Sequence, residues 1–263
     1  MKIAESLLRY CKAVGSDCVD FLFPPACCYC DQSLPLALNQ SNSEREKISQ
    51  PQLCDACFSK LPAITNNHCL KCGAAQGPHI LAKEGCLHCK NSRFSFSGAI
   101  SLHLYDGDFR KMCWFCKQDS GQRLAWYLAH QLWESEHNRL KSWSCDAVVH
   151  VPMFWTRRLV RHVHPAESIA SCLAMKLKIP FWHRALRQTR RVPHQAKLAA
   201  SSRRKNVLGV YKTTRFHHFK DKSILLVDDI LTTGTTASEC AKVLKKAGAK
   251  QVHVAVLARG IGR

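Results

Sequence analysis

Nowhere in the 263 residues does an apolar run approach the ~20 residues that a bilayer-spanning helix needs. No such span is expected. The N-terminal stretch resembles no export signal, because its apolar positions are helically spaced and interrupted by Lys2, Glu5, Arg9 and Lys12. The protein is therefore expected in the cytoplasm. Acidic side chains are scarce, 19 against 39 Lys and Arg, for a net charge of +20. The shortage is uneven: residues 1–96 carry a net +2, residues 97–263 a net +18, and 139–222 alone a net +16. A field of that sign fits a polyanion, such as a pyrophosphate-bearing substrate, a nucleotide or a nucleic acid. A solvated basic face is the plain alternative.

Cysteine is what the chain has in plenty, with 16 residues. Eight fall in four CxxC pairs: Cys27/Cys30, Cys54/Cys57, Cys69/Cys72 and Cys86/Cys89. Paired thiols without an export signal read as metal ligands, not disulfides. Each CxxC turn delivers two soft ligands on a small knuckle, and tetrahedral Zn²⁺ takes four. Two structural zinc ions follow, since four thiolates leave no open coordination position. The simplest pairing is sequential, Cys27, Cys30, Cys54 and Cys57 on one ion and Cys69, Cys72, Cys86 and Cys89 on the other. An interleaved pairing satisfies the spacing too. Cys28 sits beside Cys27 and competes for its place, whereas His68 and His88 read as neighbours of ligands. A fifth pair, Cys113/Cys116, lies in an amphipathic helical pattern and reads as core packing in preference to redox chemistry.

Along the chain, residues 2–22 show one apolar helical stripe ended by Pro24-Pro25. The stretch 34–52 is polar at its centre and reads as a loop between cysteine pairs. From Phe94 the pattern turns to alternating strands and helices. Phe96–Tyr105 reads as a strand or hairpin, Leu124–Leu140 as a helix, Cys145–Pro152 as a buried strand and Ala166–Leu177 as a helix. Residues 187–206 are basic and aperiodic, which reads as a loop, and Gln251–Leu257 is a last strand. Alternation of this kind specifies a parallel α/β sheet with helices on both faces. The expected organisation is an N-terminal helix over 1–25, a double zinc ribbon over 26–92 and an α/β domain over 94–263.

The most informative stretch is Ser223 to Leu244. Ile224, Leu225, Leu226 and Val227 suit a strand buried on both faces. Asp228 and Asp229 follow, then a loop from Leu231 to Thr236, then a helical pattern stopped at Gly248. N–H groups at a helix start, with the positive end of its dipole, attract an anion. Gly234 lets a phosphate approach, and Thr232, Thr233, Thr235 and Thr236 offer hydroxyl donors. The two carboxylates repel a phosphate but accept from neighbouring hydroxyls, as on a ribose, or hold Mg²⁺ through water. A sugar phosphate satisfies both halves. Strand, acid pair and Thr/Gly loop in this order resemble the 5-phosphoribosyl-1-pyrophosphate (PRPP) motif of type I phosphoribosyltransferases. That resemblance implies ribose hydroxyls on Asp228 and Asp229, and the 5′-phosphate on Thr232, Thr233, Gly234, Thr235 and Thr236.

The whole chain resembles the ComF family, a double zinc ribbon followed by a type I phosphoribosyltransferase-like domain. The resemblance rests on the four CxxC pairs, Val151-Pro152 followed by Arg157, Arg158 and Arg161, and the segments with Pro193, Gln195, Leu198, Arg203, Asn206, Val207 and Gly209. It implies PRPP with Mg²⁺ as ligand, transfer of the phosphoribosyl group with release of pyrophosphate, Arg157, Arg158 and Arg161 as charge partners of pyrophosphate, and an association with DNA uptake or with sugar-acid use. It singles out no catalytic nucleophile and no code for the acceptor. His162-Val163-His164-Pro165 departs from the family's Gly-aromatic-Asn. A non-catalytic alternative is a PRPP-sensing or single-stranded nucleic-acid-binding module, with Trp143, Trp155, Trp182 and Tyr211 as stacking platforms.

Overall fold

The computed structural model describes residues 24–35, 51–63, 67–76, 85–156, 163–192 and 207–261. The N-terminal helical stripe, most of the 34–52 loop, Arg157, Arg158, Arg161 and the segment 193–206 lie outside the described residues. By contact the chain divides into two compact units, Met1–Lys60 and Leu61–Arg263. In the first unit, Cys27 and Cys28 pair with Gln32 and Gln52 through backbone hydrogen bonds of 2.8 Å, and one helical turn, Asp55–Phe58, carries Cys57.

The second unit is built on four strands in the order β1-β6-β5-β2, every neighbouring pair parallel: β1 (Gly98–Leu104), β2 (Ala147–His150), β5 (Ser223–Leu231) and β6 (Gln251–Arg259). A short antiparallel pair, β3 (Leu186–Gln188) and β4 (Tyr211–Thr213), lies apart from it. The helices are α1 (Gly107–Phe115), α2 (Gln122–Ser142), α3 (Pro165–Leu177) and α4 (Thr235–Lys246). Ile224 to Val227 of β5 and Val252 to Arg259 of β6 are all buried, which explains their near-continuous apolar runs. Alternation splits these side chains between two faces. Ile224, Leu226, Val252, Val254 and Val256 join Ala237, Cys240, Ala241 and Leu244 of α4 in one core cluster. Helices α2 and α3 pack on each other, with α3 against β2 and β5 and α2 against β1.

Parallel strands put all their C-terminal ends on one edge, where ligands of open α/β sheets bind. That edge collects Tyr105, His150, the end of β5 and Arg259. Two sequence readings are corrected here. Strand β5 runs through both aspartates to Leu231, whereas the sequence placed Leu231 in the loop, and α4 already starts at Thr235. Register explains the extension, with Ile230 opposite Ala258 and Leu231 opposite Arg259. The loop proper is Thr232, Thr233 and Gly234. The basic stretch 187–206 likewise begins inside a strand, because Arg187 and Gln188 pair with Lys212 and Tyr211.

Candidate functional site

Asp228 and Asp229 stand at the end of β5, half-buried, with their backbone turned so that each side chain caps the next N–H. The Asp229 N–H donates to Asp228 Oδ1 at 2.9 Å, and the Ile230 N–H donates to Asp229 Oδ1 at 2.8 Å. Lys117, in the short link after α1, reaches Asp229 Oδ2 with its Nζ at 2.7 Å. Burial and the Asp229 charge push the Asp228 carboxyl well above the usual carboxylate range. At Asp229 burial pushes the same way, but the Lys117 ammonium outweighs it and holds the carboxyl below its ordinary value. Burial would also lower Lys117, and Asp229 instead holds it above the ordinary lysine value. Asp229 is thus the ionised member, and Asp228 ionises last. No sequence motif pointed to Lys117.

The loop after the acid pair is short and rich in donors. Thr233 and Thr235 share a hydroxyl–hydroxyl bond of 2.9 Å, and the Thr235 N–H faces Thr233 Oγ1 at 3.4 Å. Gly234 is the N-cap of α4 at φ 73°, and it gives the helix no side-chain cap. An anion can fill that role. Gly234 is also sterically required: a Cβ there would lie 2.6 Å from the Phe94 ring. A cleft of about 440 Å³ opens beside the loop, lined by Arg93, Phe94, Ser95, Thr233, Gly234 and Thr235 among others.

On the far side, β2 ends at His150 and leads into Val151-Pro152. Arg157, Arg158 and Arg161 fall outside the described residues. The departure at His162–Pro165 acquires a structural role. His164 is the N-cap of α3, its Nδ1 accepting from the Glu167 N–H at 3.2 Å, with Pro165 at the first helical position. Donor atoms of His150, His164 and Glu167 lie within 4.8 Å of one another. The His164 Nδ1 lone pair already serves the helix end, so we read His164 as a cap and not as a metal ligand.

The eight CxxC thiols form two separate groups, Cys27, Cys30, Cys54 and Cys57, and Cys69, Cys72, Cys86 and Cys89. The sequential pairing holds. A tetrahedron with Zn–S bonds of about 2.3 Å has edges of about 3.8 Å. The sulfurs match it, with Cys30–Cys54 at 3.7 Å, Cys69–Cys89 at 3.7 Å, Cys72–Cys86 at 3.6 Å and Cys86–Cys89 at 3.8 Å. Burial works against ionisation at Cys27 and Cys69, but knuckle N–H groups overturn it and bring each thiol down to about 7. Both clusters could hold zinc. Cys28 is buried outside the first group, and His68 is engaged with Glu136 Oε1 at 2.9 Å. Cys113 and Cys116 are both core residues, and burial pushes the Cys113 thiol up to about 12.

Residues 163–263 match the phosphoribosyl transferase domain. Competence protein F of Haemophilus influenzae is 30% identical over 115 residues, covering 43% of this chain and 50% of that protein. These matches and the two four-cysteine clusters agree with the resemblance to the ComF family. The DNA utilization protein YhgH of Escherichia coli K12 is 28% identical over 114 residues, 43% of this chain and 49% of that protein. The chain therefore spans about half the length of the curated relatives it matches. Among solved structures, a glutamine PRPP amidotransferase from B. subtilis, complexed with ADP and GMP, shares 26% identity. That alignment covers 43% of this chain and 22% of the amidotransferase at a TM-score of 0.30.

Proposed function

We propose that this protein binds PRPP, or a related 5′-phosphoribosyl compound, with Mg²⁺ at the β5–α4 turn, and that it transfers the phosphoribosyl group to an acceptor. One observation carries the reading: a carboxylate pair and, a few residues on, a helix start without a side-chain cap lie in one short stretch at the C-terminal edge of the sheet. The Thr232–Thr236 segment takes the 5′-phosphate through N–H and hydroxyl donors. Asp228 and Asp229 accept from the ribose 2′- and 3′-hydroxyls, and Lys117 gives up part of its hold on Asp229 as they do. Arg157, Arg158 and Arg161 are proposed as charge partners of the pyrophosphate. When bound, Mg²⁺ would neutralise charge on the departing pyrophosphate. The bond from C1′ to the pyrophosphate oxygen breaks and the electron pair leaves with pyrophosphate. The acceptor's lone pair forms the new bond to C1′, and its proton passes to solvent. Such a step asks the protein for positioning and charge stabilisation, not for a nucleophile of its own.

In the same reading both clusters carry structural Zn²⁺, within a double ribbon over 26–92 that precedes a phosphoribosyltransferase-like domain over 94–263 and follows a helix over 1–25. A cytoplasmic location is part of the same proposal, since thiols kept as metal ligands fit a reducing compartment. No helix among the described residues is long and apolar enough to cross a membrane. Elemental analysis should find two zinc ions per chain. Cys54→Ser should lose one and keep the other, so a variant that loses both ions, or a wild type holding fewer than one, contradicts the assignment.

A second reading has its own support. The net +16 over 139–222 exceeds what one PRPP molecule needs, and relatives bear names tied to competence and DNA utilization. A single-stranded nucleic-acid-binding module would use that charge. Its aromatic platform is thin, however. Trp143 is stacked on His253, Trp182 on His217, Tyr211 is buried, and Trp155 alone of the four stands 62% exposed. Calorimetry with Mg²⁺–PRPP should give a binding heat that Asp228→Asn and Asp229→Asn each reduce by at least tenfold, about 1.4 kcal/mol. Pyrophosphate release across a panel of bases and amines should then identify an acceptor. No release, with single-stranded DNA affinity falling steeply as salt rises, favours the binding module.

A further inference from the structure

Arg259 is 3% exposed at the end of β6, and no carboxylate pairs with it among the described residues. Its Nη1 donates to three main-chain carbonyls, Leu231 at 2.9 Å, Thr232 and Gly260. Leu231 ends β5 and Thr232 begins the phosphate loop. Its Nε is buried without a hydrogen-bond partner. A guanidinium cannot shed its proton to escape burial, so its charge rests on these carbonyls. Ile261, two residues on, packs against the second cysteine cluster. Arg259 thus holds the loop's backbone, and the segment that follows it reaches the cluster.

A second connection runs through the chain itself. Residues 90–96 lead from the last ligand, Cys89, straight to the loop. Phe94 packs against the cysteine cluster on one side and lies over Gly234 on the other. It stacks on Phe96 at 4.5 Å, and the next residue anchors to α4, the Ser95 N–H donating to Ser238 Oγ at 2.9 Å. The cluster's first knuckle is tied to the sheet as well. Ser101 Oγ donates to the Gly73 carbonyl at 2.6 Å, and Arg139 Nη2 donates to the carbonyls of Leu70 and Ala99, each at 3.1 Å. The cluster is thus braced against β1.

We propose that the second cysteine cluster, once metal-loaded, sets the conformation of the phosphate loop through Arg259 and Phe94, so that metal retention and 5′-phosphate binding are thermodynamically coupled. The inference rests on the reading of Thr232–Thr236 as the phosphate site. Arg259 is a positioning residue here: it touches the loop's carbonyls, not the ligand. Linkage makes the coupling reciprocal. Whatever factor the metal contributes to phosphate affinity, the phosphate ligand returns to metal retention.

Two arms test it on the full-length protein. In the first, Cys86→Ser and Cys54→Ser are compared with wild type by hydrogen–deuterium exchange without ligand. Cys86→Ser should raise exchange in peptides covering 231–237 by about tenfold, the middle of the range for such couplings, and Cys54→Ser should leave it unchanged. In the second, a chelator draws zinc from wild type with and without saturating Mg²⁺–PRPP. Loss from the second cluster should slow by a similar factor, and loss from the first should not. Arg259→Met should abolish the PRPP effect on zinc loss, and Arg259→Lys should restore part of it. Unchanged exchange at 231–237 in Cys86→Ser, or a wild-type second cluster holding no metal, overturns the proposal. If PRPP does not bind at all, the ligand reading fails, and the ligand-free exchange arm still decides the coupling.

Discussion

Asp229→Asn should destabilise the ligand-free protein at neutral pH, and Asp228→Asn should stabilise it. The two residues are adjacent and chemically identical, so opposite signs are a sharp expectation. Asp229 pairs with Lys117 at 2.7 Å, with 20% and 25% of the two side chains exposed. Removing one partner of a fully buried pair costs about 3–5 kcal/mol, and this residual exposure reduces the expected loss to about 1–3 kcal/mol. At about 2–4 °C per kcal/mol for a chain of this size, the melting temperature falls visibly. Asp228 is the reverse case. Its native carboxyl titrates well above the unfolded value, mainly because of burial and secondarily because of Asp229. The native state therefore holds the proton more tightly than the unfolded chain, and stability falls as pH rises above the unfolded value of about 4. Asparagine removes that penalty while keeping the shape.

The pH profiles separate the two variants further. The advantage of Asp228→Asn should be absent below about pH 4, where the acid is neutral in both states, and should grow as pH rises. For Asp229 the native carboxyl lies below the unfolded value, so its contribution is present above about pH 4 and is lost as pH falls through the native value. The deficit of Asp229→Asn should thus shrink in acid. Melting curves from pH 3 to 8 read both trends. Two variants shifting in the same direction at neutrality would show that the acid pair does not divide its charge as the Lys117 contact implies.

The candidate site was legible where its parts are consecutive. Asp228, Asp229, the threonines and Gly234 occupy one short stretch, and each residue type announces its own chemistry. The CxxC spacing was legible for the same reason, although only the fold decides which pairs share a metal. Lys117, Phe94 and Arg259 were not legible. Each is remote in sequence from the turn it serves and is brought there by the crossing of α1, by the segment leaving Cys89, or by the register of β6 on β5. The sheet class followed from apolar periodicity, but the end of β5 did not. Two aspartates lower strand propensity, and pairing with β6 overrides it. His164 shows the opposite limit: its identity departed from the family pattern, and only its position before α3 shows that it caps a helix.

Gly234→Ala is the change expected to damage the phosphate site most for the least added mass. Two separate costs meet at this residue. Its φ of 73° is a left-handed conformation that costs an alanine about 1–2 kcal/mol. Its new Cβ would also stand 2.6 Å from Phe94 Cε1, and the ring is held in place by its stack on Phe96. Forcing a methyl into a packed site costs about 1–3 kcal/mol. The combined loss is about 2–5 kcal/mol, and the backbone shift that relieves it moves the N–H groups proposed to hold the 5′-phosphate. Phe94→Ala separates the two costs. In the Gly234→Ala/Phe94→Ala double variant the steric part disappears and the backbone part stays, so the two changes should couple by about 1–2 kcal/mol. Urea melts of the four proteins give that number directly. Additive losses would mean that Phe94 does not lie over the loop. A fully stable Gly234→Ala would mean that the turn does not need its left-handed residue.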